Sequence, residues 1–550
     1  MEHIPTHADE VALRASLSRK MTRQNTRPDQ GASDVLDLPY DLLSENADMN
    51  EYLEETTSGV IPKRTISRAS GIIEDFELVT FTINDKENPK NWSKPYKWYC
   101  TMVVALTCFV VAFNSAVITA DLAGVQKTFN VSEEVSLLSI TLFVIGFGVG
   151  PLIFAPLSEL FGRRIVYATT LGIATIFVIP CAVAPNIATL LVCRLIDGIA
   201  FSAPMTLVGG TLADLWRPEE RGVPMAAFSA APFIGPAIGP LIGGYLSEAA
   251  GWRWLYWIQL IFAGACWVLL TITVPETYTP ILLSRRAKAL RLSTDSTKYT
   301  TEKELDPRPL SAQLRIFLFR PLQLLFLEPI VFFLSLYMAV LYGLLYMFFV
   351  AYPIIYQEGK GFSAGSTGLM FIPIAIGVIC SAVCAPLVNQ HYLSICARYP
   401  DGRPPAEKRL IPMMWSCWCI PIGLFIFAWT SYPKLSYWGP MMGGFPVGFG
   451  FIFLYNSVNN YLVDTYQHQA ASALAAKTFL RSIWGACVVL FTVQMYGRLG
   501  YQWAGTLLAF IALACCAIPF VFYVFGERIR GLSRFAYKDD EEKGEKVGGH

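Results

Sequence analysis

The sequence predicts an all-α integral membrane protein: twelve transmembrane helices arranged as two six-helix bundles. Three observations carry that prediction. Of 550 residues, 54% are hydrophobic and only 15% charged, with a mean hydropathy of +0.43. Soluble domains carry about 25% charged residues, so this chain has too few to coat a watery surface. The apolar residues are also grouped into twelve runs, each near the roughly 20 residues needed to cross hydrocarbon. Finally, a polar stretch, residues 276–328, divides the runs six and six. That division implies two parallel halves with a cavity at their junction near the bilayer midplane.

Taken in order, residues 1–95 are polar and broken by Pro, Ser and Thr, which predicts a disordered cytoplasmic tail. The first apolar run begins near residue 98, so no cleavable signal peptide is expected. The first bundle, 96–275, takes runs starting near Trp98, Val135, Ile165, Ile187, Pro224 and Trp252. A cytoplasmic central loop, 276–328, follows. The second bundle, 329–526, takes runs starting near Pro329, Thr367, Leu410, Trp438, Ala471 and Gln502. The run from Ala471 contains Lys477 and Arg481, which weaken its apolar signal. Residues 527–550 include the charge cluster Lys538–Lys543 and read as a solvated cytoplasmic tail. Gly and Pro interrupt many runs, which bilayers tolerate far better than water does.

Orientation follows from Lys and Arg. Arg163, Arg164, Arg217, Arg221, Arg398, Arg403, Lys408, Arg409 and the basic central loop all fall on one side. Loops of the other side hold single basic residues at most. By the positive-inside rule both termini are cytoplasmic. The net charge of +1 excludes the global basic footprint of a nucleic-acid-binding protein. The thirteen cysteines show no zinc or redox spacing and read as small apolar fillers, so neither a metal nor a cofactor is expected. Asn130-Val-Ser132 is a glycosylation acceptor on the predicted outer side.

Four stretches carry chemistry. After the second run comes Ala155-Pro-Leu-Ser-Glu159-Leu-Phe-Gly162-Arg163-Arg164, where Gly162 permits a sharp turn and Glu159 can pair with Arg163 or a neighbouring helix end. This is either a plain positive-inside loop or a gating latch. In the fourth run, Arg194 and Asp197 stand one turn apart on one helix face. At that depth charges must face the bundle interior. They form either a packing ion pair or a site where protonation of Asp197 frees Arg194. The fifth run places Gly235, Gly239 and Gly243 at i, i+4 and i+8, a smooth stripe for close helix packing. Pro240 beside them favours a kink. In the seventh run Tyr342, Tyr346, Phe349, Pro353 and Tyr356 share a face; they line a cavity for flat amphipathic compounds or form a packing stripe. Asn114 and Asn456 are amides deep enough to need partners and are further cavity candidates. Lys477 and Arg481 could attract an anion, with pairing to Asp464 the favoured reading.

Through Leu157, Gly162, Arg163 and Arg164 the loop resembles the signature of the major facilitator superfamily, departing at Ala155, at Glu159, which keeps the charge, and at Leu160. Arg194–Gly198 resembles that superfamily's span-four element, linked to proton transfer. The run Gly235-Pro-Ala-Ile-Gly239-Pro240-Leu-Ile-Gly243-Gly244 matches in full its antiporter signature. Asn88–Ser93, Pro275–Tyr278, Glu328-Pro329 and Asn460–Asp464 narrow the resemblance to the fungal twelve-span drug:proton antiporters. The resemblance covers residues 85–530. It implies a monomeric plasma-membrane exporter whose partners are protons and a small-molecule substrate, a drug, toxin or secondary metabolite. A primary pump is disfavoured because no G-x-x-x-x-G-K-[ST] loop occurs. A membrane enzyme is disfavoured because the spans lack clustered His, Cys or carboxylate ligands. A proton-coupled importer or a non-transporting sensor of the same fold is the alternative.

Overall fold

A computed structural model describes residues 55–56, 59–66, 73–217, 220–305, 310–399, 404–466, 469–533 and 535–536. The first half holds α1 (Lys94–Ala116), α2 (Glu133–Phe161), α3 (Arg163–Ala182), α4 (Ile187–Leu215), α5 (Gly222–Ala250) and α6 (Arg253–Thr273). The second holds α7 (Pro329–Tyr352), α8 (Ile372–Cys396), α9 (Ala406–Thr430) and α10 (Trp438–Tyr466). Among the described residues, by length and composition, eleven helical segments can cross a membrane, and the last, Ala470–Leu532, is itself two helices. Gly500, at φ +74°, breaks it into α11 (470–499) and α12 (501–532). The protein is thus a multi-pass membrane protein, with twelve crossings among the described residues.

Large apolar side chains face outward around the bundle, among them Ile176, Ile272, Val383, Leu387, Trp503 and Val524. In water such a surface would be an aggregation site; against acyl chains it is the correct exterior. Inside each half the main neighbours are α1 with α5, α2 with α4, and α3 with both α4 and α6, then α7 with α11, and α8 and α9 with α10. The halves meet along α2–α11 and α5–α8. The end of the bundle carrying the α2–α3 turn is called the basic end below, and the opposite one the far end.

Two details differ from the sequence reading. The expectation of a disordered tail over 1–95 is corrected for its later part: β2 (Val60–Ile66) pairs antiparallel with β3 (Ile73–Val79), from Val60↔Val79 to Ile66↔Ile73. β3 then pairs in parallel with β5 (Tyr299–Thr300) of the central loop, while β1 (Glu55–Thr56) pairs with β4 (Phe81–Thr82). Val79 and Phe81 are buried, and Asp85 forms an ion pair with Arg286. A lone hairpin is marginal, so its third strand and its ion pair come from a loop some two hundred positions away, which no local pattern reveals. Residues 1–54 lie outside the described residues. At the other end, α12 runs to Leu532 and the Ser533 hydroxyl donates to Glu328, so 527–533 extends the bundle rather than the tail.

Pro240 does not interrupt α5, which stays helical from Gly222 to Ala250. Its stripe faces α1: a Cβ on Gly235 would lie 2.7 Å from the Phe109 carbonyl oxygen, and one on Gly243 2.8 Å from that of Val117. A Cβ on Gly239 would lie 3.1 Å from the Val117 amide nitrogen. By contrast a Cβ on Gly209 of α4 meets nothing within 4 Å. Gly235→Ala should therefore lower the thermal unfolding temperature of the detergent-purified protein. Gly209→Ala should leave it unchanged or raise stability by about 0.5–1 kcal/mol, the helix-propensity gain of Ala over Gly.

Candidate functional site

The α2–α3 turn is held by a carboxylate from after α6. Gly162 sits at φ +99°, a conformation other residues rarely adopt. A Cβ there would fall 2.3 Å from Glu276 Oε2. That closeness lets Glu276 cap the start of α3, accepting from the Arg163 amide at 2.9 Å and the Arg164 amide at 3.1 Å. It also accepts from the amides of Thr277 and Tyr278. An anion at a helix N-terminus meets its unpaired N–H groups and the positive end of its dipole. The Arg163 guanidinium contacts Asp214 at 3.4 Å and Ser158 at 2.5 Å, and stacks on Tyr278. Arg164 donates to the Thr271 carbonyl. Lys303 of the central loop caps the end of α2, donating to the carbonyls of Glu159 and Leu160 at 2.8 and 2.9 Å. The Glu159 side chain makes no ion pair within 4 Å among the described residues; its neighbours are Arg163 and Lys303. All these partners belong to the first half and the central loop.

Deeper in the same half, Arg194 and Asp197 are fully buried. They do not form the ion pair with each other that their spacing allows. Gly198 lets α2 approach so closely that a Cβ there would lie 2.1 Å from the Phe143 carbonyl. Arg194 consequently stacks on the Phe143 ring, 4.2 Å away, and donates to the Ser139 carbonyl at 3.0 Å. Both terminal nitrogens reach the Asn114 carbonyl of α1, each at 3.4 Å. Asp197 Oδ2 receives the Cys181 thiol at 3.7 Å, and Oδ1 has no partner among the described residues. The Asn114 side-chain amide is likewise buried and unpartnered, and it does not reach the central cavity; its neighbour Ser115 does.

That cavity lies between the halves and is narrow in this structure, with a volume of about 20 Å³. Ala112, Ser115 and Phe147 line it from α1 and α2, with Pro232, Phe233 and Pro236 from α5. The second half contributes Tyr342, Tyr346 and Arg481. Both sequence-selected tyrosines therefore reach the cavity, their hydroxyls 3.4 Å apart. Tyr356 sits elsewhere, buried against Tyr352 and Phe362. Asn456 does not line the cavity but bridges the halves beside it, accepting from Ser229 at 2.8 Å.

Inter-half contacts flank the cavity on both sides. At the far end the Gly365 amide donates to Glu248 at 2.7 Å, and Gln494 donates to Glu134 at 3.3 Å. There a Cβ on Gly244 would lie 2.4 Å from the Ala364 carbonyl, and one on Gly368 2.4 Å from that of Pro240. At the basic end Gly222 abuts Asn389. Asn130, the acceptor of the glycosylation pattern, is exposed at the far end and closes a short helix in the left-handed conformation.

The favoured pairing of Lys477 and Arg481 with Asp464 is overturned, because Asp464 pairs instead with Arg409 at 2.7 Å. Arg481 stacks on Tyr342 at 4.3 Å and enters the cavity wall. Two cations one turn apart within an apolar helix lacking any acid were the signal for this, and proximity in sequence to Asp464 obscured it.

A family model described as Major Facilitator Superfamily matches residues 104–489. The chain is 71% identical to the MFS-type transporter paaT of Penicillium rubens, over 93% of each. It is 42% identical to the efflux pump FUBT of Fusarium oxysporum, over 83% of this chain and 77% of that one. Among solved structures it resembles the proton:xylose symporter XylE of E. coli, at 16% identity and a TM-score of 0.58, over 78% of this chain and 97% of that one.

The α2–α3 turn yields a paired expectation. Gly162→Ala must displace Glu276 and strain the backbone by about 1–3 kcal/mol, the cost of a sparsely populated φ. Glu276→Gln keeps the shape and loses the charge. Both variants should unfold at lower temperature than the parent by scanning fluorimetry, and adding Glu276→Gln to Gly162→Ala should cost less than it does alone.

Proposed function

The chain belongs to the major facilitator superfamily, and from that membership we propose a proton-coupled secondary transporter that exports amphipathic small molecules by alternating access. On this reading the basic end faces the cytoplasm. The observation that carries it is the combination of an inter-half cavity with a fully buried carboxylate, Asp197, that has one oxygen unpartnered among the described residues. A carboxylate so placed is costly while charged, and a proton relieves the cost.

Backbone contacts support a route from that proton to the cavity. Arg194 ties three helices together through the Ser139 and Asn114 carbonyls, and Asn114 precedes Ser115 in the cavity wall. Protonating Asp197 removes the negative charge nearest the guanidinium and shifts the balance of those carbonyl contacts. The glycine face of α5 allows it to slide on α1, while its contacts with the short helix Ala364–Leu369 before α8 are the seal that must part for release at the far end. At the basic end the Glu276 cap keeps α2, α3 and the end of α6 moving as one body. Outward direction is supported by the complete glycine–proline signature of α5 and by an efflux pump among the relatives.

Everted sealed vesicles test this. A panel of naphthalene probes bearing carboxylate, amide or amine groups should include at least one that accumulates only under an imposed pH gradient, with or without ATP. Accumulation that needs ATP and ignores the gradient would sink the proposal. In the same vesicles Asp197→Asn should abolish gradient-driven accumulation while counterflow exchange of the probe persists. Loss of both activities in a folded variant would assign Asp197 to packing rather than coupling.

A further inference from the structure

We propose that the cavity selects organic anions, an aromatic or otherwise apolar body carrying a carboxylate-type group, and that Lys477 and Arg481 of α11 receive the negative charge. The inference rests on the transporter reading above and names its substrate class.

Both cations are buried, at 1% and 3% exposure. Lys477 donates to Asn459 and lies 4.4 Å from the Tyr455 ring; Arg481 stacks on Tyr342, and its Nε has no partner among the described residues. Neither makes an ion pair with a described residue. The acids on every element packed against α11 are engaged elsewhere or too far along the bundle. On α10 Asp464 holds Arg409, and on α9 Glu407 holds Arg530. Glu328, before α7, accepts from Tyr466 and Ser533. On α2 Glu159 neighbours Arg163 and Lys303 at the basic end, while Glu133 and Glu134 stand at the far end, with Glu358 beyond α7. The remaining neighbour, the helix Leu310–Leu327, contains no acidic residue.

An unpaired buried charge is among the most costly features a membrane protein can hold, and a second like charge one turn away adds repulsion. Ring stacking offsets only part of that. A bound anion would answer both costs at once. Arg481 already stands in the cavity wall with a planar donor fork suited to a carboxylate. Lys477 lies one turn nearer the basic end, where it meets an anion on its way in. The rest of the wall, Phe147, Phe233, Tyr342 and Tyr346, suits a flat apolar body, and among the described residues no carboxylate lines it to welcome a cation.

The test is binding to the purified full-length protein in detergent, using 1-naphthoate, 1-naphthamide and 1-naphthylmethylamine, which share a ring and differ in charge. Naphthoate should raise the unfolding temperature and bind at least about tenfold more tightly than the other two, the value of a charge-assisted contact. Arg481→Gln should erase that preference, Arg481→Lys should restore part of it, and Lys477→Gln should weaken naphthoate binding alone. Because the empty site holds uncompensated charge, Arg481→Gln should also unfold at a higher temperature than the parent when no ligand is present. Equal or tighter binding of the amide or amine overturns the inference. So does the absence of naphthoate binding at millimolar concentration, or an Arg481→Gln variant that is folded and keeps full naphthoate preference. Binding is read without a gradient, so a failure of proton-driven export in vesicles would leave this result standing. Conversely, gradient-driven export of the amine but not the acid would remove the anion and keep the exporter.

Discussion

A polar group inside hydrocarbon has no water to fall back on, and each unmet group costs several kcal/mol. The structure is organised around meeting that constraint with backbone. Glu276 accepts four amide N–H groups, and Lys303 caps the carbonyls that end α2. Arg194, fully buried, is satisfied by carbonyls of two other helices rather than by the acid one turn away. Because the partners are backbone atoms, these bonds fix the relative positions of whole helices rather than of two side chains. Among the buried side-chain atoms left without a partner in the described residues, Asp197 Oδ1 and Arg481 Nε stand apart from neutral ones such as those of Asn114 and Gln259, because a mobile partner can change the charge of their groups.

Glycine decides where such bonds can form. Gly198 brings α2 close enough to α4 for Arg194 to reach Ser139, and Gly162 gives Glu276 access to the start of α3. The stripe on α5 has a different consequence. It faces α1, whereas Pro240 and Gly244 on the same helix face the short helix Ala364–Leu369 that precedes α8 in the other half. One helix thus carries a smooth contact inside its own half and a seal across the seam. Few side chains must leave their rotamers for that helix to move, which suits it to alternate between two packings.

What could be read from the sequence divides along the same line. Run length and composition located the helices, since a crossing needs nothing beyond its own residues. Gly162, the α5 stripe and the two cavity tyrosines were visible because turn chemistry and helical period are local. The partner of Gly162 was not, because Glu276 lies 113 positions from Arg163 and looks like an ordinary loop acid. The same distance problem hid the β3–β5 pairing and the bridge from Ser229 to Asn456. Lys477 and Arg481 were assigned to the nearest acid in sequence, although Asp464 had a better partner in Arg409, on α9.

The proposed exchange of an exported anion for an entering proton has an electrical consequence that bears on its design. Each cycle carries a negative charge out and a positive charge in, so two charges move in the same electrical sense. Across a bilayer held negative on the cytoplasmic side by 100 mV, each is worth about 2.3 kcal/mol, and the pair roughly 4.6 kcal/mol. The charge moved is set by that stoichiometry, and separate sites for the anion and for the proton on Asp197 keep the two from pairing on the way across. The chain separates them in this way: Asp197 sits inside the first half, and the two cations sit on α11 of the second, with the cavity between. Arg194 stands on the proton side of that divide and touches the cavity only through the backbone of α1. Coupling between the two charges must then run through helix position and not through contact, which is what a rocking pair of rigid halves provides.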